Sequence, residues 1–180
     1  VGSEMCIRDR TETSAQCITV PHWLRAPVDP ESGNLSCGLP SVDAHVRIAR
    51  EDGSDCDPGE VGEVYVSGPM VALCYLNNPT ATETDIPDGE LHTGDVGFMD
   101  KDGWVYIVDR KKDMINASGF KVWPREVEDV LYLHPAVSEA AVVGVPDDYR
   151  GENVVAFVTL RAGEDVTEDQ IIEHLSLIHI

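Results

Sequence analysis

Three cations stand in a row at Asp109-Arg110-Lys111-Lys112-Asp113, in a chain that carries 33 Asp and Glu against 13 Lys and Arg. An apolar run, Trp104 to Val108, leads into the cluster, and a short polar stretch, Met114 to Lys121, leads out of it. A basic knot at such a junction can bind an anion, serve as a hinge or stand as a solvated surface turn, and charge alone favours the turn. Arg110 offers a planar fork suited to phosphate or ribose oxygens. Thr93-Gly94-Asp95 sets a carboxylate on a tight glycine turn, where it can accept hydrogen bonds from two vicinal hydroxyls. A plain turn with Asp as local acceptor is the simpler reading of those residue types. Thr11-Glu12 offers a hydroxyl for a phosphate and a carboxylate for Mg²⁺. Each signal is weak alone; their order along the chain carries the meaning.

The totals narrow the setting. At 180 residues, 42% of them hydrophobic, the chain suits one ordinary domain, or one domain with a small companion, around a packed core. A formal net charge of -20 opposes general binding to nucleic acid or to anionic membranes. Five scattered cysteines without a CxxC pair fit reduced thiols, which points to the cytoplasm. No apolar run is long enough to span a bilayer. The histidines are dispersed, with no HExxH, EF-hand or GxSxG pattern, and neither GxGxxG nor GxxxxGK[ST] occurs.

Two differently built halves must position these groups. Before the basic knot, short apolar runs alternate with turn signals. Val42, Ala44, Val46 and Ile48 alternate as a half-buried strand, and Gly62 to Gly68 is a short strand closed by glycines. Met70 to Leu76 is a further apolar run that Asn78-Pro79 breaks. Asp102-Gly103 joins two segments as a hairpin with Trp104 to Val108 outgoing. This pattern predicts a small barrel or sandwich-like unit, with no helix of normal length. After the knot, Pro124 suits a first helical position, and Val127, Val130 and Leu131 recur at helical spacing up to Pro135. Val137 to Val145 and Val154 to Leu160 read as strands, and Thr167 with Gln170 forms a capping box for a second helix. This half is a compact α+β unit. The ends, Val1 to Arg10 and Leu175 to Ile180, fit no neighbouring pattern and read as non-native scars.

Taken together, Thr11-Glu12-Thr13-Ser14, Gly62-Glu63-Val64, Thr93-Gly94-Asp95, Asp109-Arg110-Lys111-Lys112-Asp113 and Ser118-Gly119-Phe120-Lys121-Val122 resemble the ordered signature of AMP-forming acyl-CoA synthetases. These belong to the adenylate-forming superfamily. The fatty-acyl and medium-chain ligases are the nearest branch, through Val108 to Ile115, Pro124-Arg125-Glu126-Val127-Glu128, His134-Pro135-Ala136-Val137 and Ala141 to Asp147.

The resemblance implies a mixed fold: 11–110 as the β-rich, distorted-barrel end of the large AMP-binding domain, then 111–174 as a truncated α+β lid domain. It implies ATP, Mg²⁺ and CoA together with a small carboxylic acid, no nucleic acid and no transmembrane segment. Thr11 would contact the α-phosphate, Glu12 the magnesium ion, and Asp95 and Arg110 the ribose. Lys112 matches the hinge about which the lid swings between adenylation and thioester formation. Ser118, Gly119, Phe120 and Lys121 would line the CoA side, where Gly119 permits close approach. In place of the family's aromatic-Gly element before Thr11 stands Arg8-Asp9-Arg10. The phosphate loop and acyl pocket would lie upstream, and the catalytic C-terminal lysine would lie beyond Ile180. The expectation is therefore an internal fragment of an ATP-dependent acid–CoA ligase, inactive by itself. An aryl-CoA ligase, a carrier-loading adenylation domain and a non-catalytic binding module on the same fold are the alternatives.

Overall fold

The structure, a computed structural model, describes residues 11–14, 17–30, 32–147 and 149–178. The proposed scar at 1–10 lies outside the described residues. The chain divides into two compact units, Val1–Lys111 and Lys112–Ile180.

In the first unit β1 (Ile18–Thr19) and β2 (Leu39–Pro40) form a two-stranded antiparallel pair. Strands β3 (His45–Ala49), β4 (Gly62–Ser67), β5 (Glu90–Met99) and β6 (Val105–Arg110) form a four-stranded antiparallel sheet in chain order. Val64, Val66, Leu91, Val105 and Ile107 from this sheet join Cys17, Ile18 and Ile48 in one buried cluster. The alternating apolar residues of β4 and the continuous run of β6 thus each supply a core face.

The expected barrel does not close. β3 and β6 are the two edges of an open sheet, and among the described residues β6 meets only the isolated bridge Gly38–Val105 on its outer side. The strand expected from Val42 begins at His45 instead, because Asp43 takes a left-handed φ of 63° and Ala44 N–H closes a turn on Ser41 C=O. The Met70 to Leu76 run forms no strand or helix, and Leu73 and Leu76 are exposed. Asn78-Pro79 starts an element rather than only ending one: Asn78 Oδ1 accepts from Ala81 N–H, and Pro79 opens the short helix α1 (Pro79–Asp85).

The second unit holds the sheet β8-β7-β10-β9, built from β7 (Ile115–Ala117), β8 (Phe120–Val122), β9 (Val137–Asp147) and β10 (Gly151–Leu160). Helix α2 (Pro124–Tyr132) starts on Pro124, as its sequence predicts, and packs on β9 and on α3 (Glu168–Ile178). Ile115, Leu131 and Val142 form its buried centre, with Val127, Val158, Ile171 and Leu175 packed around them. The capping box is formed: Thr167 N–H donates to Gln170 Oε1 at 2.9 Å, and Gln170 N–H donates to Thr167 Oγ1 at 3.4 Å. The closing stretch read as a scar continues the backbone of α3 through Leu175 to Ile178.

Candidate functional site

The site begins at an irregularity in the ladder between β4 and β5. Glu63 pairs with Val96 and Tyr65 with His92, so Val64 alone faces Thr93, Gly94 and Asp95. This is a bulge; it leaves Gly94 half-buried between the buried Thr93 and Asp95. Gly94 sits at φ 66°, a left-handed value that a side chain tolerates poorly. Thr93 Oγ1 donates to Val64 C=O at 2.7 Å and accepts from Asp95 N–H at 3.1 Å. Glu63 Oε1 accepts from Gly94 N–H at 3.1 Å.

A cleft of about 330 Å³ opens beside the bulge in the first unit, with Glu12, Tyr75, Thr93, Gly94 and Lys111 among the residues on its walls. Glu12 comes from a single 3-10 turn, Thr11–Thr13, and its Oε1 accepts from the Tyr75 hydroxyl at 3.0 Å. Lys111 Nζ donates to Glu63 Oε2 at 2.7 Å. That hydrogen bond raises the Lys111 ammonium above its ordinary range, so Lys111 stays charged through neutral pH. His92, also on the wall, stacks flat on Tyr65 with ring centres 3.8 Å apart, and the Arg47 guanidinium lies 4.8 Å from the Tyr65 ring centre.

Asp95 and Arg110 pair directly across β5 and β6. Arg110 Nε stands 3.8 Å from Asp95 Oδ1; the Asp95 side chain is 2% exposed and that of Arg110 is 51% exposed. Asp95 is therefore brought to Arg110, one residue behind the cleft wall, while Thr93 and Gly94 face the cleft. Thr11 is exposed and does not line the cleft. Lys112 is exposed and is the first residue of the second unit, within the 3-10 turn Lys111–Asp113.

The stretch from Met114 to Lys121 is not a plain polar turn. It is the β7–β8 hairpin, with Ser118 (φ 56°) and Gly119 (φ 87°) as its two-residue tip. Positive φ at both positions is the turn that matches the twist of paired strands. Gly119 N–H donates to Asn116 Oδ1 at 3.1 Å, and Ser118 N–H donates to Arg150 C=O at 2.8 Å. Phe120 is 74% exposed, and Lys121 is exposed beside it. The tip presents an aromatic and a cation.

Sequence reasoning about site roles passed over Glu63, Tyr75 and His92. Glu63 stood inside a recognised motif, and its role needed the bulge geometry to become visible. Tyr75 lies 63 positions from Glu12, and no local pattern joins them.

A model of the AMP-binding enzyme matches residues 10–76, and a model of the AMP-binding enzyme C-terminal domain matches residues 126–177. Over these two segments the chain is similar to the AMP-binding enzymes. A long-chain-fatty-acid–CoA ligase of Bacillus subtilis is 47% identical over 77% of this chain and 25% of its own length. A medium/long-chain-fatty-acid–CoA ligase of Mycobacterium tuberculosis is 53% identical over 71% of this chain and 22% of its own. The solved o-succinylbenzoate CoA synthetase of Bacillus subtilis, in complex with its acyl-adenylate intermediate, superposes with a TM-score of 0.77 at 34% identity, covering 94% of this chain and 33% of that one. The chain thus spans about a quarter of the length of the curated relatives it matches. No helix among the described residues is long and apolar enough to cross a membrane.

Proposed function

We propose that the chain is the nucleotide-binding end of the large domain (11–110) and the lid domain (111–174) of an ATP-dependent ligase that joins a fatty or related carboxylic acid to CoA in the cytoplasm. The observation that carries this reading is the Asp95–Arg110 pair held in register beside a cleft walled by Glu12. A carboxylate and a guanidinium set side by side offer acceptors and donors for the two ribose hydroxyls of ATP.

Glu12 fits magnesium in the manner usual for nucleotide sites, one carboxylate completed by substrate phosphates and water. Mg²⁺ bound there would draw charge from the phosphoryl oxygens. Thr11 contributes a hydroxyl to the α-phosphate. In the first half-reaction the acid's carboxylate oxygen attacks the α-phosphorus. The bond from that phosphorus to the bridging oxygen of the β-phosphate breaks, and pyrophosphate leaves. In the second, the CoA thiol first loses its proton to solvent, the thiolate attacks the acyl carbonyl carbon, the bond from that carbon to the phosphate oxygen breaks, and AMP leaves. Ser118, Gly119, Phe120 and Lys121 form the side that meets CoA, and Lys112 is the pivot between the two steps.

ATP–pyrophosphate exchange tests the reading in the full-length protein that carries this chain. Exchange stimulated by medium- or long-chain fatty acids is expected, and its absence with every carboxylic acid tried would contradict it. The 180-residue chain by itself is expected to give none.

A further inference from the structure

We propose that Glu63 is a positioning residue that ties the Thr93–Asp95 bulge to the end of β6 and so fixes where Asp95 and Arg110 stand. Its geometry is independent of the proposed function; its effect on nucleotide binding rests on that reading.

The bulge creates the need. With Val64 alone facing Thr93, Gly94 and Asp95, the local ladder cannot satisfy every backbone group of the triplet. Thr93 Oγ1 serves Val64 C=O and Asp95 N–H. Glu63 Oε1 takes the Gly94 N–H at 3.1 Å. The second oxygen of the same carboxylate takes Lys111 Nζ at 2.7 Å. Lys111 directly follows Arg110, the last residue of β6. One carboxylate therefore grips the residue before Asp95 and the residue after Arg110, which lie on the two strands at the same end of the ladder, just beyond the pair that faces across β5 and β6.

Burial makes the grip strong. The Glu63 side chain is 10% exposed against 55% for Lys111. A shielded carboxylate with charge-assisted bonds on both oxygens resists rearrangement more than a solvated ion pair does. Glu63 also lines the cleft, but each of its oxygens is already engaged by a neighbour within the protein, which suits it to hold those neighbours in place.

The test uses Glu63→Ala, Glu63→Gln and Lys111→Met in the full-length protein. It reads AMP affinity by calorimetry, steady-state kinetics, and amide hydrogen exchange at Gly94. Glu63→Ala should weaken AMP binding and raise KM for ATP by about 10- to 100-fold, the scale of a lost charged hydrogen bond. KM for the carboxylic acid should stay unchanged, and the Gly94 amide should exchange faster. Glu63→Gln keeps an acceptor for Gly94 and should recover most of the AMP affinity. Lys111→Met severs one arm and should fall between Ala and wild type. A merely structural residue would lower the active fraction without moving KM for ATP. Wild-type AMP affinity in both Glu63→Ala and Lys111→Met, or unchanged exchange at Gly94 in Glu63→Ala, would overturn the proposal. If Glu63→Ala does not fold, Lys111→Met and Glu63→Gln decide it on the same readouts. Failure of the wild-type protein to bind AMP would instead overturn the nucleotide reading, and faster Gly94 exchange in Glu63→Ala would still uphold the lock.

Discussion

Asp95 and Arg110 oppose each other across the β5–β6 ladder, the carboxylate buried and the guanidinium half exposed, with Nε 3.8 Å from Oδ1. The arrangement depends on irregularities in both ladders that β5 makes. On the β4 side the Thr93–Asp95 bulge lifts the triplet, and on the β6 side the register shifts at Val96 and Gly97. A regular sheet would send these side chains to faces set by simple alternation. The bulges re-aim them.

Gly97 is where that second shift can be tested. A Cβ built there falls on the Tyr106 carbonyl oxygen of β6. Gly97→Ala should destabilise the first unit by about 1–3 kcal/mol, the usual cost of forcing an atom into packed backbone. Urea unfolding followed by tryptophan fluorescence would show it. An unchanged midpoint would mean that the strands can part there without loss.

Acid stability should depend on Glu90. Arg47 donates to both Glu90 oxygens, at 2.8 and 2.6 Å, and this holds the Glu90 carboxyl below its ordinary value of 4.5. Because the folded value is the lower one, the pair stabilises the fold above about pH 4.5 and loses that contribution as pH falls through the folded value. Glu90→Gln should cost about 0.5–1 kcal/mol at neutral pH, as for a partly exposed ion pair, and should flatten the decline in acid. Thermal melts between pH 3 and 7 would test this. Parallel curves for the two proteins would contradict it.

The hinge assignment makes a separate prediction. Proline at position 112 fixes φ and removes an N–H at the start of the second unit. Lys112→Pro in the full-length protein should impair thioester formation more than adenylation. Pyrophosphate release and acyl-CoA formation, followed separately, decide it, and equal rates for both steps in variant and wild type would remove Lys112 from the role.

Much of this was legible from the residues. The strands of the β5–β6 hairpin, the start of α2 at Pro124 and the Thr167–Gln170 cap follow from patterns within a few positions of each other, where local chemistry dominates. The motif order pointed to Glu12, Asp95 and Arg110 before any geometry was known. What was not legible depends on distant partners. The sheet is open rather than a barrel because β3 and β6 do not pair with each other, and no local rule sets the pairing of such distant strands. The β7–β8 hairpin was hidden because its strands are short and polar, and its register needs the Ser118 bond to Arg150 C=O on the neighbouring turn. Glu63 joins Gly94 and Lys111 only after folding, across 31 and 48 positions.

The measurement closest to the central claim compares ATP with 2′,3′-dideoxy-ATP in the adenylation step, for the wild-type full-length protein and for Asp95→Ala. If Asp95 with Arg110 holds the ribose hydroxyls, wild type should prefer ATP in kcat/KM by at least about a hundredfold, because a site built to bind hydroxyls rejects the analogue lacking them. Asp95→Ala should lose most of that preference, chiefly by losing activity on ATP. A wild type that uses both nucleotides equally, or an Asp95→Ala variant that keeps the full preference, would contradict the account.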